Sequence, residues 1–247
     1  MAPHEWDATA YDALPLPHVE WGRRVLDRMG LRGDEHVLDA GCGTGRDAAA
    51  LLAQHPRATL TGVDASRRMV ERAAETLAPY ADRVDLHVAD LTGPIPVHRP
   101  VDAVMSVAAF HWITDHDLLF SRLAHAMRPG ATLTSDCGGQ GQLAVMDAAL
   151  VEVTGESRIG AAFKGIDETR ASLEGAGFEV LDVRLRPDPC RIEDPDLLER
   201  YLATVNLSAY LASMPVEEHA DFVRTVREHM AEPVIDYVRL EIDAVRR

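Results

Sequence analysis

Three acids stand at the ends of three short apolar runs: Asp39 after Val37-Leu38, Asp64 after the run 59–63, and Asp90 after the run 84–88. Between the first two acids lie three glycines at alternate positions, Gly41, Gly43 and Gly45, and a helical pattern begins at once at Arg46. Strand, glycine turn, helix is the grammar of a nucleotide-type cofactor site. Glycine lets the backbone turn tightly and lets a ligand approach it. The helix start beyond offers unpaired N–H groups and the positive end of a dipole. A dinucleotide fingerprint would need a small residue at position 46, and Arg46 is there, so a nicotinamide cofactor is disfavoured. Asp64 follows Gly45 by nineteen residues, a spacing that lets a carboxylate accept from ribose hydroxyls. Parallel strands that each end in an acid bring those acids to one sheet edge, the edge where ligands bind.

The stretches V-L-D-A-G-C-G-T-G (37–45), G-V-D-A-S (62–66) and V-A-D-L (88–91) resemble the class I S-adenosylmethionine-dependent methyltransferases. The resemblance implies S-adenosylmethionine as cofactor and S-adenosylhomocysteine as product. It places the backbone of Gly41, Cys42, Gly43 and Gly45 against the methionine part of the cofactor. Asp64 would hold the ribose, Ala65 and Met69 would pack beside the adenine, and Asp90 would accept from the adenine amino group, with Leu91 nearby. Asp39 is either a further cofactor residue or a tie for the turn, and Asp90 could equally cap its own loop.

A second group of candidates follows the fourth apolar run, V-D-A-V-M-S-V-A-A-F-H-W (101–112). No N/D-P-P-Y turn of the DNA and protein amide methyltransferases occurs here. Small residues at 107–109, Val107 among them, would leave room for a sulfonium and a substrate beside the backbone. His111 and Trp112 then project toward the transfer site. His111 could donate a hydrogen bond that orients a carboxylate, take a proton from a hydroxyl or amine, or simply line the pocket. Trp112 is a substrate wall or a buried strut. The segment is similar to the trans-aconitate, juvenile-hormone-acid and biotin-pathway malonyl-carrier families, which place Gln or His before Trp here, and Glu5-Trp6-Asp7 fits the trans-aconitate type. These families make methyl esters of carboxylic acids, so the resemblance implies O-methylation of a small carboxylate by direct in-line transfer. Carbon, nitrogen or hydroxyl methylation with His111 as base is the alternative, followed by a cofactor-binding cyclase or partner protein that transfers nothing. Trp6, Tyr11, Tyr201 and Tyr210 complete the candidate substrate-binding set. Arg158, Arg170 or Lys164 could supply the cation for an acidic substrate, whereas Arg68 and Arg122 lie on predicted helices and face solvent.

Acids outnumber bases 40 to 25, a net charge of −15, which repels nucleic acid and anionic membrane surfaces. A small-molecule substrate is the remaining expectation, in a chain that is a monomer or a homodimer. The three cysteines, Cys42, Cys137 and Cys190, have no paired metal spacing. His111 and His116 with Asp115 and Asp117 suggest a helix start rather than a metal site, so no metal is expected. The opening residues show no basic region followed by an apolar core, and no long apolar run occurs, so a cytoplasmic protein is expected.

The elements that must hold these groups follow from periodicity. Strands are expected near 36–40, 59–63, 84–88, 101–107 and 131–135, with helices near 18–30, 46–54, 66–78 and 115–127, the last ended by Pro129-Gly130. Beyond Cys137 the pattern loosens: helices near 142–153 and 167–176, an alternating run 178–185, helices over 194–231 and a strand-like end 234–245. With the resemblance, this gives an α/β, Rossmann-like doubly wound fold. Its seven-stranded sheet is mostly parallel with an antiparallel last strand and an inserted helical lid. The expected organisation is one domain over 1–247: a cap segment 1–30, a cofactor core 34–136, and lid helices in 138–170 and 190–231.

Overall fold

The computed structural model describes residues 17–157 and 163–247. The strands of its main sheet are β1 (His36–Ala40), β2 (Thr59–Asp64), β3 (Val84–Val88), β4 (Val101–Val107), β5 (Met127–Gly138), β6 (Phe178–Pro187) and β7 (Val238–Arg246), and Cys190–Arg191 pairs with Val234–Ile235 in a separate two-stranded ribbon. Its longer helices are α1 (His18–Met29), α2 (Arg46–Gln54), α3 (Arg67–Thr76), α4 (His116–Ala126), α5 (Ala144–Thr154), α6 (Ile166–Gly175), α7 (Pro195–Tyr201), α8 (Ser208–Leu211) and α9 (His219–His229). Seven strands form one sheet in the order β3-β2-β1-β4-β5-β7-β6. β1 to β5 pair in parallel, and β7 runs antiparallel between β5 and β6.

The layering follows from strands that are apolar on both faces. On β1, Val37 faces one layer and Leu38 the other; on β4, Ala103 and Val104 do the same. One face packs Val25, Met29, Leu51, Leu52 and Ala73 from α1, α2 and α3, and the opposite face packs Leu119, Phe120, Leu123 and Leu173 from α4 and α6. Local chemistry sets the helix ends. Ser66 Oγ accepts from the N–H of Met69 at 3.3 Å, Asp115 Oδ1 from Leu118 at 2.9 Å, and Gly30 leaves α1 in the left-handed region.

The strand order reverses between β1 and β4, the switch point where open sheets of this type bind ligands. A third apolar cluster closes this side, drawing on α5, α7 and α9 together with Trp21 and Tyr237. Within the expected lid spans, 138–170 does not act as one layer. α5 joins the helical cluster, whereas α6, which begins before residue 170, packs on β6 and α4 because Leu173 belongs to the main core. The expected helices over 194–231 are short pieces, interrupted by a π turn at Leu202–Asn206 and by Pro215. β5 starts at Met127, and Pro129-Gly130 lies in its irregular first turn rather than at a helix end.

Candidate active site

Gly41, Gly43 and Gly45 all have positive φ, at 87°, 52° and 79°. The N–H groups of Gly41 and Cys42 both donate to the carbonyl of Val63, which ties the turn to β2. A Cβ on Gly41 would stand 2.3 Å from the Cβ of Ala109, so the turns after β1 and β4 touch there. A Cβ on Gly43 would meet nothing within 4 Å among the described residues. The turn therefore opens onto space at Gly43 and is closed by protein at Gly41.

Asp39 is buried, and burial followed by the nearby Asp47 and Asp64 raises its pKa well above the usual carboxylate range. Its Oδ2 has no hydrogen-bond partner among the described residues. Asp64, at the end of β2, accepts from Gly43 N–H at 3.0 Å and from Ser66 N–H at 2.9 Å, which fixes its plane at the turn. Asp90 is exposed after β3 and accepts from both the N–H and the hydroxyl of Thr92 at 2.8 Å. The three acids do lie at one sheet edge, as their strands are consecutive neighbours. Met69 and Leu91 are buried, and Ala65 is half-buried. Burial pushes the thiol of Cys42 up, with Asp39 and Asp64 adding to the effect.

On the β4 side, Ser106 Oγ donates to the carbonyl of Ala40 at 2.6 Å, holding the two strand ends together. Val107 is half-buried and packs against both the helical cluster and the α1–α3 layer. Ala108 has φ of 55°, a conformation uncommon outside glycine, and its N–H donates to the carbonyl of Asp136 at 2.7 Å. The strained residue turns the chain into the short 3₁₀ segment Phe110–Trp112. Phe110 goes into the core, while Trp112 is 37% exposed. His111 is buried against Trp112 and Phe163, and its Nδ1 accepts the N–H of Gly138 at 3.2 Å. Burial, then the charge of Arg239 and then His116, pulls its pKa down to about 3.

The other candidates are placed differently. Tyr201 is fully buried and shares a 2.8 Å hydroxyl contact with Tyr237; Tyr210 stacks on Phe222. Trp6, Tyr11 and Arg158 lie outside the described residues. Lys164 pairs with Glu168 at 2.5 Å, and Arg122 donates to the carbonyl of Thr92. The sequence did not single out Arg239, which is 1% exposed beside Asp136 and covers the ring of Trp21 at 3.6 Å. Its only signal was a basic residue inside an apolar alternating strand.

Residues 37–130 match the family model described as a methyltransferase domain. This segment resembles methyltransferase domains of that family. The trans-aconitate 2-methyltransferase of Paracidovorax citrulli is 32% identical over 130 residues, 53% of this chain and 49% of that protein. The matched region thus spans about half the length of this curated relative. The YcgJ protein of Bacillus subtilis superposes with a TM-score of 0.67 at 15% identity, covering 93% of this chain and 99% of that one. The cyclase SpnF gives 0.65 at 20%, covering 92% and 80%. Both likenesses are of fold. The geometry fits the cofactor of the methyltransferase domain: open space above Gly43, an orphaned carboxylate oxygen on Asp39 suited to an ammonium group, and Asp64 fixed by backbone donors. Among the described residues, no cluster of three or more His, Cys, Asp or Glu can hold a metal, and no helix is long and apolar enough to cross a membrane.

Proposed function

We propose that the chain transfers a methyl group from S-adenosylmethionine to a carboxylate oxygen of a small organic acid. One observation carries the choice of acceptor. The N–H of Gly138 occupies Nδ1 of His111, so the neutral imidazole bears its proton on Nε2. Such a histidine donates a hydrogen bond and does not accept a proton at Nε2. A carboxylate is already a nucleophile and needs orientation, whereas a hydroxyl, amine or carbon acid would need a base. The likeness to trans-aconitate 2-methyltransferases supports the same acceptor class.

S-adenosylmethionine supplies a methyl group already activated by its sulfonium. The protein's own part is alignment, which is worth roughly 7–11 kcal/mol in well-oriented reactions. Gly41 to Gly45, Asp39 and Asp64 hold the cofactor. Met69, Ala65 and Leu91 make the apolar side of its pocket, and Asp90 stands at the rim. Val107, Ala108 and Ala109 bring the β4 backbone close to the reacting centre. His111 steadies one carboxylate oxygen so that the other points at the methyl group. Trp112 and the helical cluster of α5 and α7–α9 form the wall and lid that exclude water, which strips the nucleophile of solvation.

The test is transfer from methyl-labelled S-adenosylmethionine to a panel of organic acids, phenols and amines, followed by mild alkali. Label released as methanol is the expected result. Label retained in the product overturns the carboxylate assignment in favour of carbon, nitrogen or ether-oxygen methylation.

A further inference from the structure

Arg239 lies at the start of β7 opposite Gly138 of β5, so it belongs to the same sheet edge as His111. Its Nε–H donates to Asp136 Oδ1 at 2.6 Å, Nη2 to the Asp136 carbonyl at 3.3 Å, and Nη1 to Gln142 Oε1 at 3.4 Å. A guanidinium has five N–H donors. Two of them, one on each terminal nitrogen, have no acceptor among the described residues. The group cannot turn to find one. Trp21 covers its face at 3.6 Å and is itself anchored by its indole N–H on Asp188 at 2.6 Å. A buried donor left unmade is costly, and a buried cation more so. His18 and His111 are both buried, and after burial the charge of Arg239 helps lower the pKa of each.

We propose that Arg239 is the anion receptor of the acceptor site, its two open N–H groups gripping a carboxylate oxygen of the organic acid. The inference rests on the methyltransferase reading above and deepens it. The cofactor also carries a carboxylate, but position separates the two. The glycine turn follows β1, and β7 is three strands away, roughly 14 Å at the usual strand spacing. Arg239 therefore serves the acceptor half of the site. The planar fork matters, because a carboxylate is matched by two parallel N–H groups and not by a point charge.

The test is calorimetric titration of the wild type, Arg239→Lys, and the double variant Arg239→Gln with Asp136→Asn. The double change avoids leaving Asp136 as a lone buried charge. The probes are glutarate, phenylacetate and tricarballylate, their amides, and S-adenosylhomocysteine, each acid being added with and without S-adenosylhomocysteine. The expected result is that the wild type binds acids and not amides, and that the double variant loses at least tenfold in acid affinity. Its S-adenosylhomocysteine affinity stays within twofold. Arg239→Lys, which keeps the charge and loses the fork, gives the same split and serves alone if the double variant does not fold. Acid binding unchanged in the variants overturns the receptor, as does a wild type that takes amides equally well or takes no acid. An equal loss of S-adenosylhomocysteine affinity assigns Arg239 to the cofactor and overturns it too. A wild type that binds acids through Arg239 yet ignores S-adenosylhomocysteine keeps the receptor and overturns the methyltransferase reading instead.

Discussion

The backbone N–H of Gly138 donates to Nδ1 of His111 across 3.2 Å, so the end of β5 decides the tautomer of a side chain that follows β4. With its pKa near 3, His111 stays neutral throughout the working range. The rate profile of the wild type should therefore show no limb between about pH 6 and 8 attributable to this residue. His111→Gln retains both an acceptor for Gly138 and a donor, and should keep most of the activity. His111→Ala should cut kcat by about 10²-fold, the usual cost of one donor aimed at a reacting group, with S-adenosylhomocysteine affinity unchanged. An ionisation near 6.5 that disappears in the variants would show that His111 is a base after all.

The glycine turn offers a pair of substitutions with opposite expectations. Gly41→Ala places a Cβ 2.3 Å from that of Ala109 at a φ of 87°, and should destabilise the fold by about 2–3 kcal/mol. Gly43→Ala meets no atom of the described residues, so the left-handed strain of about 1 kcal/mol is the expected cost. Its methyl group enters the space assigned to the cofactor. Thermal melting should rank Gly41→Ala as the weaker fold, and calorimetry should show Gly43→Ala folded but weakened toward S-adenosylhomocysteine.

Gly22 sits in the middle of α1, where alanine would ordinarily gain about 1 kcal/mol of helix propensity. A Cβ there would lie 1.9 Å from Oδ1 of Asp47 in the first turn of α2. Gly22→Ala should therefore destabilise. In a double-mutant cycle with Asp47→Ala the loss should be largely recovered, giving a coupling of about 1–3 kcal/mol. Additive effects would mean that the two helices are not in contact through these residues.

Stability against pH carries its own sign. His111 is depressed from 6.5 to about 3, and His18, His36 and His116 are lowered as well, each chiefly by burial. A histidine depressed in the folded state binds fewer protons than in the unfolded chain. Its contribution is full above about pH 6.5 and is lost as pH falls below that value. For His111 the slope approaches roughly 1.4 kcal/mol per pH unit between 6 and 4. Asp47, raised to about 6 mainly by burial, acts in the opposite sense: its contribution is full below about 4 and is lost as pH rises through 6. Comparison of wild type with His111→Asn isolates the histidine. The stability difference between them should shift against the wild type as pH is lowered from 7 to 5, measured by denaturant unfolding at each pH.

Much of the cofactor half was legible because each signal was local. Val37 and Leu38 before Asp39 define a strand ended by glycines, and β1, α2, β3 and β4 fall on the residues that periodicity indicated. The acceptor half was not legible in this way. Arg239 sits between Val238 and Leu240 in an alternating run, and nothing local says which face is enclosed. Only the pairing of β7 with β5 settles that. Tyr201 illustrates the same limit: a tyrosine on an apolar helix face can line a pocket or fill a core, and here it is fully buried against Tyr237. The π turn at Leu202–Asn206 carries no glycine or proline to announce it.

The insertion of β7 between β5 and β6 should separate the two halves of the proposed site in time as well as in space. Asp39, Asp64 and Asp90 lie within one continuous stretch of alternating strands and helices, whereas Asp136 and Arg239 meet across 103 residues. Contacts so distant along a chain are slow to form, because a long loop must close before any of them is rewarded. The maturing chain is therefore expected to gain a shape that recognises the methyl donor before it gains one that recognises the acid. Any variant that loosens the docking of β7 should lose selectivity for acceptors first.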